Sequence, residues 1–62
     1  MDSWGLFMRE AQGWKWYCLD ASSSLPLAES MKHFQHLDLA EQDFERFLED
    51  YKAMMAHRYQ TR

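Results

Sequence analysis

The first half of the chain alternates apolar with other side chains at the two-residue period that is typical of β-strands. Residues 4–10 and 14–20 follow this pattern, and the second run is rich in aromatic residues, which favour strands. Ala11-Gln12-Gly13 lies between them, and three residues ending in glycine are a plausible hairpin connection. The alternation predicts one face with Trp4, Trp14, Trp16 and Cys18, and an opposite face with Phe7, Tyr17 and Leu19, between which Arg9 and Lys15 lie.

The stretch from residue 25 to residue 34 fits two kinds of local structure. Pro26 suits the first residues of a strand or an edge strand, because proline has no N–H to donate to a ladder. Ala28, Glu29 and Met31 would also suit a short helix. The pattern favours a third strand over about residues 26–34, after a loop at residues 20–24, and a short helix remains the alternative.

The second half of the chain has the period of an amphipathic helix. Its apolar positions are Ala40, Phe44, Phe47, Leu48, Tyr51, Met54 and Met55. Asp38 has the spacing of an N-cap, with Glu41 three residues later, and no glycine or proline interrupts the segment. We therefore expect a helix over about residues 39–59. The whole chain, residues 1–62, is then one α+β domain, in which a three-stranded antiparallel β-meander packs on one C-terminal amphipathic helix (β-β-β-α).

This order of elements resembles the YegP-like small domains of unknown function. The stretch GWKWYCLDASSSLPLAES is similar to the Gly/Trp-rich second strand, turn and third strand of that family. Trp4 and Leu6 fall where the family has an apolar pair in its first strand, and Phe34 falls where an aromatic residue closes its third strand. The resemblance implies a three-stranded antiparallel sheet with a helix across one face, and it implies no catalytic residues.

Candidate chemistry is sparse in a chain of 62 residues. The single cysteine, Cys18, cannot form an internal disulfide, and His33, His36 and Asp38 do not have the spacing of a zinc site. The serines at residues 22–24 have no histidine partner that the sequence can identify. We therefore expect neither an enzyme nor a metal site nor a cofactor.

A three-stranded sheet with one helix leaves its second face uncovered, and apolar side chains on such a face favour association. Phe7, Tyr17 and Leu19 are the candidate contact residues, with Met54, Met55 and Tyr59 near the end of the helix as a second set. Because a two-fold pairing uses the same patch twice, the expected function is a self-associating, dimeric protein-binding module that acts as an adaptor or inhibitor of a protein partner. Solvated aromatic residues without a partner are the remaining interpretation.

Two other functions stay open. A small sheet with one helix can bind nucleic acid, with Arg9 and Lys15 as the contacts, but a net charge of −3 and a pI of about 5.4 oppose it. An acidic surface, formed by Glu41, Glu45, Glu49 and Asp50, would suit a phage-type inhibitor of a host nucleic-acid-binding or defence protein, or would simply be a solvated helix face.

The expected location is the cytoplasm. No apolar run approaches the roughly 20 residues of a membrane span. The start of the chain also lacks the basic-then-apolar pattern of a signal peptide. We therefore expect no association with a membrane.

Overall fold

The fold is an open three-stranded antiparallel sheet followed by one helix, as the sequence pattern predicts. The computed structural model describes residues 3–60 and the side chains of residues 3–56. The elements are β1 (Ser3–Glu10), β2 (Gly13–Asp20), β3 (Pro26–Glu29) and α1 (Leu37–Gln60). The strands lie in the order β1-β2-β3, so that consecutive strands are neighbours. The α+β, β-β-β-α prediction is therefore confirmed.

The connection between β1 and β2 is one residue shorter than predicted. Glu10 pairs with Gly13, which leaves Ala11 and Gln12 as the loop and makes Gly13 the first residue of β2. Gly13 has a φ of 131°, a conformation that side chains with a Cβ rarely adopt. A Cβ at this position would also lie 2.6 Å from the carbonyl oxygen of Phe34. Glycine is therefore required here by both the backbone conformation and the close approach of the chain.

The shorter loop reverses the face of the sheet on which each β1 side chain lies. Because strand side chains alternate, a shift of one residue in register moves all of them to the opposite face. In the observed register Trp4 pairs with Leu19 and Phe7 pairs with Trp16. The prediction that Trp4 shares the core face with Trp16 is therefore wrong, as is the prediction that Phe7 points away from the helix. Arg9, which pairs with Trp14, also lies on the helix side of the sheet.

The third strand is shorter than the predicted 26–34, because a side chain interrupts its ladder. Ser30 follows β3, and its Oγ accepts a hydrogen bond from the backbone N–H of Trp16 at 3.3 Å. The same hydroxyl donates to the carbonyl of Lys32 at 2.9 Å and so stabilises a turn. The Ser30 N–H still donates to the Trp16 carbonyl at 2.9 Å, and the next backbone bonds to β2 are at Phe34, whose N–H and C=O both bond to Trp14. The predicted strand is thus divided into a four-residue strand and an isolated bridge.

The helix begins before the predicted cap. The carbonyl of His36 accepts hydrogen bonds from the N–H groups of Leu39 and Ala40, at 3.2 and 3.3 Å. His36 therefore lies directly before the first turn of the helix. Asp38 lies within that turn, and the prediction that it is the N-cap is wrong. A carboxylate in the first turn still stabilises the positive end of the helix dipole.

The core lies between α1 and the central strand. Its buried residues are Trp16, Cys18, Ala40 and Phe44, and partly buried Phe7, Trp14, Ala28, Phe34, Phe47 and Leu48 surround them. The Phe44 ring meets Phe7 and Trp16 edge-on, with centroid distances of 5.5 and 5.3 Å. Burial of each large side chain contributes roughly 1.5–3 kcal/mol. Among the described residues, the helix covers one side of the sheet, and no other helix or strand covers the opposite side.

Candidate protein-binding surface

The side of the sheet opposite to α1, here called the free face, is built by the alternation of β1 and β2. Residues that are directly opposite on antiparallel strands point to the same face. Pairing of Trp4 with Leu19, Leu6 with Tyr17 and Met8 with Lys15 therefore places these side chains together. Glu29 of β3 joins them, because it pairs with Tyr17.

One edge of the free face carries an exposed row of apolar side chains. This apolar row consists of Trp4, Leu6 and Met8, whose side chains alternate along β1. They are 43%, 37% and 44% exposed, and Leu27 of β3 is 43% exposed. The row lies on an edge strand, because β1 has β2 as its only neighbour among the described strands. Contiguous exposed apolar side chains of this kind mark surfaces that bind other molecules.

The other end of the free face is polar, and its groups bind one another. This polar cluster consists of Glu10, Lys15, Tyr17, Glu29 and His33. Lys15 Nζ lies 2.6 Å from Glu29 Oε2 and 5.7 Å from the centre of the Tyr17 ring. The Tyr17 hydroxyl donates to Glu10 Oε2 at 3.0 Å, and Glu10 Oε1 lies 2.8 Å from His33 Nε2. The cluster holds the three strand ends and the following turn together.

The titration of the polar cluster follows from these contacts. Hydrogen bonds from His33 and Tyr17 lower the pKa of Glu10 below its usual value. The bond to the Glu10 carboxylate raises the pKa of Tyr17, and the bond to Glu29 raises the pKa of Lys15. Around neutral pH, Glu10 is therefore ionised, Tyr17 is neutral and Lys15 is a cation. The contacts thus hold these three groups in their ordinary charge states.

The structure places the first set of predicted contact residues on two different faces. Tyr17 and Leu19 lie on the free face, and both are half-buried. Phe7 lies on the helix side, where its ring contacts Phe44. The sequence reasoning missed Leu6 and Met8, although their alternation with Phe7 was visible. A two-residue hairpin loop would have placed them beside Tyr17, because loop length fixes which β1 residues share its face.

The second set of predicted contact residues lies near the end of α1. Met54 is 59% exposed and Met55 is half-buried. The Tyr59 side chain lies outside the described residues. Upstream, Phe47 and Tyr51 stack with a centroid distance of 5.8 Å, which continues the apolar stripe toward this end of the helix. The exposure of Met54 makes it available for contact.

The residues of the predicted acidic surface lie along α1. Its members Glu41, Glu45, Glu49 and Asp50 are all exposed. Asp43 differs from them, because it is half-buried and accepts a hydrogen bond from Trp16. Asp43, Arg46 and Asp50 line an open groove of about 550 Å³ between α1 and the turn after β3, with Phe34 and Phe47 among its apolar walls.

Three further observations concern the described residues. Among residues 3–56, whose side chains the structure describes, no three histidine, cysteine, aspartate or glutamate side chains lie close enough together to hold a metal ion. Cys18 is fully buried in the core. In the same part of the chain, α1 does not have the length of apolar sequence that a membrane crossing requires.

The predicted nucleic-acid contacts do not share a face. Lys15 is on the free face, where it is paired with Glu29, and Arg9 is on the helix side of β1.

Comparisons of the chain with protein-family models, with curated proteins and with solved structures found no match.

Proposed function

We propose that the protein is a small, non-catalytic protein-binding module that self-associates and acts as an adaptor or inhibitor of a protein partner. The apolar row beside Tyr17, Leu19 and Leu27 is the observation that carries this proposal. Burying such side chains gains about 25 cal/mol for each Å² removed from water. A partner with a flat apolar surface would therefore bind the free face, and the polar cluster would lie at the rim of the contact.

The charges of the free face favour a protein partner over a nucleic acid. A nucleic acid is held mainly by cations that contact its phosphates. The cation that β1 and β2 place on the free face, Lys15, is already 2.6 Å from a carboxylate oxygen of Glu29. Glu10 adds a second carboxylate to the same face. Phosphates would meet these two carboxylates, whereas an apolar protein surface would avoid them by lying over the apolar row.

A matched pair of leucine variants tests the proposal. Leu27→Glu puts a charge among the free-face residues, and Leu25→Glu puts the same charge in the loop before β3, where Leu25 is 63% exposed. Tagged full-length chains carrying either change are used to capture proteins from a lysate of the source cells after nuclease treatment. We expect that the unmodified chain and Leu25→Glu both capture the same protein, and that Leu27→Glu does not capture it. Equal capture by all three chains, or a protein that is captured only when the nuclease is omitted, would contradict the proposal.

A further inference from the structure

The outer edge of β1 carries backbone groups that the described part of the chain does not pair. Trp14 exchanges both of its backbone hydrogen bonds with Phe34, and the Trp16 carbonyl accepts the N–H of Ser30. These bonds point away from β1. Since Arg9 and Phe7 are the β1 residues opposite Trp14 and Trp16, their own N–H and C=O groups point to the outer edge.

The same alternation extends along the whole of β1. The residues with outward backbone groups are Ser3, Gly5, Phe7 and Arg9. Long edge strands are usually protected by proline, lysine, a bulge or a covering element. β1 is eight residues long, contains neither proline nor lysine, and pairs with β2 without a register shift. Its two charged residues, Arg9 and Glu10, lie at its end and leave residues 3–8 without a charge. It therefore has the features of a strand that can pair with another chain.

The sequence of β1 is self-complementary about Leu6. An antiparallel pairing of two copies with Leu6 on the two-fold axis sets Ser3 opposite Arg9 and Gly5 opposite Phe7. All the outward backbone groups of both copies are then matched, because each of these residues faces another from the same set. If the pairing of the two β1 strands is shifted by two residues, so that Phe7 lies on the two-fold axis, Ser3 no longer has a partner within β1 of the second copy. The register centred on Leu6 thus satisfies the most hydrogen bonds.

The same register also matches the side chains. On the free face it sets Trp4 opposite Met8 of the second copy, and Leu6 opposite its own equivalent, so the exposed apolar rows meet along their length. On the other face, Phe7 of the second copy lies beside Gly5, which has no side chain to obstruct it. Pairs of large apolar residues that are directly opposite stabilise antiparallel strands.

The charges on the helix side of the sheet are complementary in this arrangement. An open groove above β1 is lined by Phe7, Phe44 and Leu48 and by the acidic residues Asp38, Glu41 and Glu45. Arg9 also lies on this side of the sheet. Pairing of the two edges brings Arg9 of each copy to the side on which the acidic groove of the other lies. An exposed cation then faces carboxylates across the interface.

We infer that two copies of this chain pair through the outer edges of β1, antiparallel and with Leu6 on the two-fold axis, to form one continuous sheet of six strands. This inference deepens the proposed function, because it names a second copy as one partner of the apolar row. The two free faces become a single surface with the paired apolar rows at its centre. Both helices lie on the opposite side of that sheet.

Cysteine cross-linking tests the register. At a non-hydrogen-bonded antiparallel pair the Cα atoms are about 4.5 Å apart, a separation that a disulfide can span. Leu6→Cys is therefore expected to form a disulfide-linked dimer under mild oxidation. Trp4→Cys and Met8→Cys are expected to link when mixed but not alone, because like residues lie about 13 Å apart at roughly 3.3 Å per residue. The unmodified chain is the control, since Cys18 is fully buried.

A backbone variant tests the hydrogen bonds. Arg9→Pro removes an N–H that points outward, so pairing with β2 should survive, and Arg9→Ala removes the same side chain but keeps that N–H. Circular dichroism checks that both variants fold. We expect sedimentation equilibrium to give a dimer dissociation constant at least roughly tenfold larger for Arg9→Pro than for Arg9→Ala, because Arg9→Pro removes two hydrogen bonds from each dimer.

Three results would overturn the inference. The first is that the unmodified chain sediments as a monomer up to millimolar concentration. The second is that the Arg9→Pro and Arg9→Ala dimers have equal dissociation constants. The third is that a disulfide forms between Leu6→Cys and Met8→Cys chains but not between two Leu6→Cys chains. The last result would place Phe7 on the axis instead. These outcomes are independent of the capture by the leucine variants, so failure of the dimer and failure of partner binding are distinguishable.

Discussion

The indole Nε1 of Trp16 donates a hydrogen bond of 2.8 Å to Asp43 Oδ2 and thereby joins the central strand to the helix. The rings of Phe44 and Phe47 lie 5.3 and 5.1 Å from the same tryptophan. One side chain of the sheet thus contacts three residues of α1: Asp43, Phe44 and Phe47. Trp16 is only 3% exposed, and the carboxylate that accepts its N–H is itself half-buried.

We expect Asp43→Ala to lower the free energy of unfolding by about 1–3 kcal/mol, because it leaves a buried donor without an acceptor. Glu49→Ala is the matched control, since it removes an exposed carboxylate from the same helix. The control should stay within about 0.5 kcal/mol of the unmodified chain. Urea unfolding followed by tryptophan fluorescence measures both. Equal stabilities of the two variants would show that the bond contributes nothing.

Gly5 is expected to be intolerant of a side chain for a packing reason. A Cβ at this position would lie 2.6 Å from Cε2 and 2.7 Å from Cζ of Phe44. The ring cannot move freely, because Phe7 and Trp16 contact it. Gly5→Ala should therefore cost about 1–3 kcal/mol through overpacking.

A double-mutant cycle isolates this effect of Gly5. In a Phe44→Leu background the side chain that obstructs the new methyl group is smaller, so Gly5→Ala should cost clearly less than it does in the unmodified chain. The free energies of unfolding of the four chains give the coupling. If the cost of Gly5→Ala were the same in both backgrounds, contact with the Phe44 ring would not be its cause.

The order and type of the elements could be predicted because they depend on local periodicity. The face of β1 could not, because it depends on whether the hairpin loop has two or three residues. Ala11-Gln12 has none of the glycine or asparagine signals that identify a two-residue turn. That single-residue uncertainty moved Trp4 into the predicted core and Phe7 out of it. The free face itself was predicted, but the apolar row that occupies its edge was not.

Side-chain hydrogen bonds are the other features that the pattern of apolar and polar residues could not predict. Asp43 is one acidic residue among several on α1, and only its position beside Phe44 distinguishes it in the sequence. Ser30 ends a strand that its neighbours could have continued, and it does so through its hydroxyl group. Asp38 has the sequence spacing of an N-cap, but the carbonyl that accepts the first hydrogen bonds of the helix is that of His36. Each of these depends on contacts between distant or competing groups.

Ser30→Ala is expected to weaken the connection between β2 and the turn after β3. Ser30 is 2% exposed, and its hydroxyl group accepts from the Trp16 N–H and donates to the Lys32 carbonyl. Its removal should cost about 1–3 kcal/mol. It should also accelerate hydrogen exchange at the Trp16 amide, which native-state exchange measures.

Ser22→Ala is the matched control for Ser30, because its exposed hydroxyl bonds only to Asp20 Oδ2 among the described residues. This change should leave exchange at the Trp16 amide unaltered. Were Ser30→Ala and Ser22→Ala to give the same exchange rate at that amide, the hydroxyl of Ser30 could not be its acceptor.

The polar cluster predicts how stability changes in acid. Hydrogen bonds from His33 and Tyr17 hold the pKa of Glu10 below its usual value of 4.5 in the folded chain. A carboxyl group with a lowered folded pKa stabilises the fold above its unfolded pKa. The stabilisation is lost as the pH falls through the folded value. Asp20 acts in the same direction, because bonds from Ser22 and Ser23 lower its pKa.

The Glu10 contribution can be separated with Glu10→Gln, which cannot ionise. At pH 7 the unmodified chain should be more stable than this variant, and the difference should shrink as the pH falls below about 4.5, the usual value for that carboxyl group. Glu45→Gln, a change at an exposed position of α1, is the control. Urea unfolding midpoints at several pH values between neutral and strongly acidic conditions give the comparison. A constant difference between Glu10→Gln and the unmodified chain across that range would mean that His33 and Tyr17 do not stabilise the ionised carboxylate.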